Sequence, residues 1–264
     1  MAAVAVPALW VDRNIVQEEG FVALTAPLGQ DPAFQQRLAA AAVNSFSSDQ
    51  IPAAMVELIR PVLEDAAQSL TGLPGYPEAW TETLRKSHRL SFADPGSLPA
   101  EMQGISSLTL DVAPLVRLVA KRVAEATSLP LESPEQVLIT IGQPGQRQVV
   151  EQVSAYAPMG YAVAVGSALA FALAFVAARR RWTVMAGAGA GALILSAVWT
   201  LAAGAVGRAV EGMSSGNAVA EIFKRDFVAA SIAGFGQWTL AAAVAGAVLL
   251  ALAVLLGAVG RRRP

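Results

Sequence analysis

The sequence predicts a membrane protein, mainly α-helical. Three C-terminal transmembrane helices are joined to an extracytoplasmic, mainly helical α+β domain with a small two-stranded element. Two observations carry this. Residues 11–157 hold 17 of the 20 acidic groups and 10 of the 19 basic ones, and residues 158–264 hold 3 acidic and 9 basic groups. The two parts therefore carry net charges of −7 and +6, which nearly cancel in the overall −1; such asymmetry fits two solvents, water and lipid. The C-terminal part also contains three long runs without any charged residue.

Residues 1–11 come first. Met1 to Trp10 (MAAVAVPALW) is apolar, and Asp12, Arg13 and Asn14 follow. About eleven residues fall short of the roughly twenty that a spanning helix needs, and no basic stretch precedes them as in a secretory signal. The segment is expected to be the outer end of a truncated transmembrane helix, with a short interfacial anchor as the alternative.

Residues 12–157 form the expected extracytoplasmic domain, long enough to bury a core of its own. Asp12 is expected to cap a helix over Asn14–Ala26, with Ile15, Phe21, Val22 and Thr25 on one face. Asp31 and Pro32 open the next helix, carrying Phe34, Leu38, Ala42 and Phe46 at i, i+4 spacing. A third helix is predicted from Pro52 to Leu70, kinked at Pro61. Residues 71–77 (TGLPGYP) end it, and Glu78 to Leu90 restarts a short helix carrying Trp80 and Leu84. Residues 92–103 read as loop.

Leu108, Leu110 and Val112 then alternate with Ser107, Thr109 and Asp111, the pattern of a half-buried strand. Pro114 opens a helix to Ser128, with Leu115, Leu118, Val119, Arg122 and Ala126 on a mixed face. Val137, Ile139 and Ile141 form a second strand. Strand, helix and strand within this length match a parallel crossover unit. Gln146 to Ala157 is predicted helical.

Residues 158–260 form the membrane domain, with spans at 158–178, 182–206 and 227–260. Twenty helical residues rise about 30 Å, the thickness of the hydrocarbon core. Arg179, Arg180 and Arg181 fill the turn between the first two spans, and Arg261, Arg262 and Arg263 follow the third. Three spans put both triplets on one side, and short Arg-rich segments stay cytoplasmic. The expected protein is thus multi-pass in the cell membrane, with residues 12–157 extracytoplasmic and the C-terminus cytoplasmic. Trp199 and Trp238 lie deeper than the interfacial aromatic belt. Ser214–Asn217 is expected to cap a short helix that docks on the acidic domain by charge, with a position on the membrane surface as the alternative.

Candidate chemistry is sparse. The chain has no Cys and one His, which removes disulfides, thiolate metal sites and cysteine nucleophiles. His88, within Arg85–Arg89, reads as part of a solvated basic helix face. Glu18-Glu19 and Glu64-Asp65 read as exposed acidic pairs, because helix neighbours point about 100° apart. Residues 186–192 (AGAGAGA) lie inside a span with no Lys-Ser/Thr after them, so they are no nucleotide loop. Gly187 and Gly191 instead form a small-residue face for close helix packing, between spans or between protomers or with an envelope protein partner. Gly234 and Gly246 do so less regularly. The spans carry no charge, which argues against autonomous ion-coupled transport, and the acidic domain argues against nucleic acid as a partner.

The segments at 25–43 (TAPLGQDPAFQQRLAAAAV) and 108–123 (LTLDVAPLVRLVAKRV), with the tight Arg turn and the final span, resemble a family of uncharacterised integral membrane proteins common in actinobacteria. The resemblance implies the topology and brings no activity, cofactor or site residue with it. The sequence therefore predicts a non-enzymatic envelope protein whose outer domain binds an unidentified partner or ligand, with no catalytic, cofactor-binding or metal-ligating residue assigned. The alternatives are a membrane-bound envelope enzyme with carboxylate-based chemistry and an accessory subunit of a transport complex.

Overall fold

The computed structural model describes residues 2–36, 72–92, 108–127, 133–140, 146–213 and 218–261. It divides into two compact units. One comprises Met1–Arg13, Ala155–Met213 and Val228–Pro264; the other comprises Asn14–Ser154 and Ser214–Phe227. The expected helix at Pro52–Leu70, with Leu38, Ala42, Phe46, Glu64 and Asp65, lies outside the described residues, as do 93–107 and Ser214–Asn217.

The polar unit contains α2 (Glu18–Thr25), a 3-10 turn (Ala26–Gln30), α3 (Tyr76–Phe92), β1 (Thr109–Asp111), α4 (Ala113–Thr127) and β2 (Leu138–Thr140), with α5 (Gln146–Tyr156) at its end. Asp31 caps the helical turn at 32–36 as its sequence requires: its Oδ1 accepts the Phe34 N–H at 2.8 Å. Gly75 precedes α3 with a φ of 93°, a conformation that costs a side-chain-bearing residue a Cβ clash. The buried core runs along α3 and α4, with Leu84, Leu110, Val112, Leu115, Val116, Val119 and Val123 all sealed from solvent.

Three expectations change here. The strands pair antiparallel, Thr109 with Thr140, Leu110 with Ile139 and Asp111 with Leu138, so no parallel crossover forms. The cause is local. The Asp111 carboxylate accepts the N–H of Ala113 at 3.0 Å and of Val137 at 3.1 Å, tying the start of α4 to the chain entering β2. Next, β1 is buried on both faces rather than half-buried. Finally, the inward stripe of α4 is Leu115, Val116, Val119, Ala120 and Val123, which rotates Arg122 into solvent and avoids burying an unpaired charge.

In the second unit, Ala2–Val11 is a helix, α1; a π-helical turn at Asp12–Val16 follows it and leads the chain into the polar unit. Asp12 therefore lies inside a helical run rather than at the start of a helix. The other elements are α6 (Met159–Ala177), α7 (Arg181–Glu211) and α8 (Ala218–Arg261), whose first turns belong to the polar unit. Segments Gln148–Ala177, Arg181–Glu211 and Ala220–Ala258 are each long and apolar enough to cross a membrane. Their surfaces expose Leu169, Leu173, Val176, Leu201, Leu240, Val254 and Leu255, as expected of helices solvated by lipid. The segment at 207–226 is mostly helical: α7 runs on to Glu211 and α8 starts at Ala218.

Helix α1 packs into this unit on three sides. Gly160 of α6 lies so close that a methyl group on it would sit 2.8 Å from Ala8 Cβ. Trp10 meets Phe235 of α8 edge-on at 5.6 Å. Trp199 of α7 donates its indole N–H to the Ala3 carbonyl at 3.0 Å. The partner explains the depth of Trp199, which an interfacial belt does not.

Helices α7 and α8 cross where Gly189 meets Gly246. A methyl on Gly189 would stand 2.6 Å from the Gly246 carbonyl oxygen. Close packing thus uses Gly189, while Gly187 and Gly191 have nothing within 4 Å of where a Cβ would sit. The expected small-residue face is offset because residues two apart in a helix point about 200° apart.

Candidate functional site

Among the described residues, His88, Glu18, Tyr76 and Trp80 gather in the polar unit around α2 and α3, each with a packing or hydrogen-bonding partner. His88 is buried, which corrects the solvated-face reading. Its ring stacks on Phe92 at 4.3 Å and lies 5.1 Å from Phe21, and Nε2 is 3.0 Å from the Ile15 carbonyl oxygen. A carbonyl only accepts, so Nε2 carries the proton and, in the neutral ring, Nδ1 does not. Burial lowers the His88 pKa, against the opposing pull of the Ile15 carbonyl and Glu18.

Beside it, Glu18 receives both Arg89 Nε at 2.8 Å and Arg89 Nη2 at 3.2 Å, with Arg85 at 3.8 Å. The Arg89 hydrogen bond chiefly holds the Glu18 carboxyl below its usual range. Glu18 is thus one arm of a fork-like ion pair joining α2 to α3 rather than half of an acidic pair, and Glu19 stays exposed. The pair is accessible to solvent, so its contribution to stability is small.

The motif at 25–32 (TAPLGQDP) has a packing logic. The Gly29 carbonyl accepts from the Tyr76 hydroxyl at 2.5 Å and from Gln35 Nε2 at 2.7 Å. The Trp80 indole N–H donates to the Ala26 carbonyl at 3.1 Å, with its ring against Gly29, where a Cβ would be 2.5 Å away. Phe34 meets the Trp80 ring edge-on at 5.2 Å. Burial pushes the Tyr76 phenol up to about 12, so it remains a donor at neutral pH. Tyr76 lies inside the Gly-Pro-rich stop at 71–77, a setting that gives no sign of its role in the sequence.

The first turns of α8 complete this cluster. Phe223 lies 6.2 Å from Phe34, and Phe227 lies 5.9 Å from Phe21. The segment packs on the polar unit through aromatic rings, and within its own helix Lys224 pairs with Glu221 and Arg225 with Asp226.

Among the described residues no three His, Asp or Glu side chains converge as a metal site. In the spans, Ser167, Ser196, Thr200 and Thr239 donate to carbonyls three or four residues earlier, which satisfies each hydroxyl within its own helix. No protein-family model matches the chain, and comparison with curated proteins and with solved structures yields no match.

Proposed function

We propose that the protein is a non-enzymatic, multi-pass protein of the cell membrane, whose polar unit faces outward and binds a partner there. What supports a binding role over catalysis is the engagement of the reactive side chains. His88 is stacked and bonded to Ile15, Glu18 is clamped by Arg89, and Asp111 holds two backbone N–H groups. The orientation rests on the two Arg triplets and the positive-inside bias. The open Gly187/Gly191 face of α7 is the surface offered to a second copy or to an envelope protein in the bilayer. The likeness to actinobacterial membrane proteins rests on its two motifs and on the order of tight Arg turn, outer loop and final span.

A chain without cysteine lends itself to a direct test. E125C is expected to react with a membrane-impermeant maleimide in intact cells, and P264C only after permeabilisation. The reverse pattern overturns the orientation. Co-purification from native membranes in mild detergent then tests the binding role: a reproducible partner supports it, and substrate turnover by the purified protein overturns it.

A further inference from the structure

We propose that the α6–α7 turn, with the end of α8 beside it, is a binding surface for anionic phospholipid headgroups. Only residues 178–180 separate α6 from α7, and Arg179, Arg180 and Arg181 are all exposed. None of the three forms an ion pair with an acidic side chain among the described residues, and the Arg181 guanidinium lies over the Phe175 ring at 5.5 Å from its centroid.

Trp182 packs where a Cβ on Gly257 would be 3.5 Å from its ring. That contact brings the end of α8 to the same end of the bundle as the α6–α7 turn. The three acidic residues of the C-terminal part, Glu211, Glu221 and Asp226, lie in sequence around the connection between α7 and α8, at the opposite ends of those helices.

Three adjacent guanidinium groups repel one another, and no carboxylate among the described residues relieves them. At the edge of the hydrocarbon, water and counter-ions screen less well than in bulk. A lipid phosphate matches the planar fork of arginine, and a headgroup with net negative charge neutralises the cluster where a zwitterionic one does not. Phe175 and Trp182 hold the adjoining aromatic surface at the level where headgroups begin. The partner is a membrane lipid rather than free phosphate because the turn directly follows an apolar helix that exposes Leu173 and Val176.

The test uses the full chain, purified in mild detergent, delipidated and titrated with short-chain phosphatidylglycerol, phosphatidylcholine or inorganic phosphate. Bound lipid is counted by native mass spectrometry. The expected result is retention of phosphatidylglycerol over phosphatidylcholine by roughly tenfold or more, weak response to phosphate, and loss of the preference in R179Q/R180Q/R181Q. If the triple variant fails to fold, R179Q and R180Q singly are expected to lower the preference several-fold. Equal retention of the two lipids, or an undiminished preference in the variants, overturns the proposal. The outcome is separable from the orientation, since anionic-lipid preference belongs to this end of the bundle whichever leaflet it occupies.

Discussion

The Trp199 indole N–H and the Ala3 carbonyl, 196 residues apart in sequence, form a 3.0 Å hydrogen bond inside the apolar unit. Pro7 makes that bond necessary. In a helix the N–H of residue 7 serves the carbonyl of residue 3, and proline has none to give. Trp199 fills the vacancy that the α1 sequence creates, in surroundings where water is not a substitute.

W199F should therefore destabilise the protein by about 1–2 kcal/mol. In a P7A background, where the backbone supplies its own donor to Ala3, the cost of W199F should shrink markedly. Thermal unfolding of the four proteins in one detergent measures the coupling. Strict additivity would show that Trp199 acts only through its bulk.

Glycine substitutions should separate two faces of α7. G189A drives a methyl against the Gly246 carbonyl and Leu250, and overpacking of this kind costs about 1–3 kcal/mol. G187A and G191A meet open space and should be neutral or stabilise by up to about 1 kcal/mol through helix propensity. Melting temperatures decide between them. Equal effects at all three positions would place the crossing elsewhere.

How much of this was legible in the sequence depends on how local each cause is. The spans, the Asp31 cap and the helix carrying Trp80 and Leu84 follow from periodicity and capping within one element. The antiparallel strand pair joins segments far apart in sequence, with the Asp111 carboxylate reaching across 26 residues to Val137, and hydrophobic alternation does not encode such a contact. His88 looked solvated because Arg85, Lys86 and Arg89 surround it in sequence. At 100° per residue, however, it shares the face of Leu84 and Trp80 rather than that of its charged neighbours. Helix α1 was too short to read as a span, and its contacts with Gly160, Trp199 and Phe235 are all long-range.

Burial of His88 sets the direction of a pH effect. Its folded pKa lies below the ordinary value of about 6.5, so the unfolded chain binds the proton more readily. The neutral ring's contribution to stability is complete above that ordinary value and is lost progressively as pH falls toward the lowered one. Of the charged groups facing it, Glu18 opposes the shift and Arg89 reinforces it. Denaturant unfolding of the wild type between pH 7.5 and about 5 should show this loss, and H88F should flatten that part of the profile. A wild type whose stability is unchanged or rises on acidification over that range would contradict the buried neutral ring.

Asp111 offers the sharpest test of the polar unit. Its carboxylate is buried and accepts two backbone N–H groups through Oδ1 alone, while its own N–H donates to Ser87 Oγ at 2.9 Å. D111N keeps a side-chain carbonyl oxygen that can occupy the same position, at the expense of charge-assisted strength. D111A takes the acceptor from both N–H groups, that of Ala113 buried and that of Val137 half-buried, and a buried orphaned donor costs about 1–3 kcal/mol. Destabilisation in denaturant should thus follow the order alanine, then asparagine, then wild type, with alanine losing about 2–4 kcal/mol. Hydrogen exchange at Ala113 and Val137 should rise in D111A before the rest of the unit loosens. Were D111A as stable as the wild type, the link between α4 and β2 would have to be carried by the Val112 N–H to Val137 carbonyl bond of 2.8 Å alone.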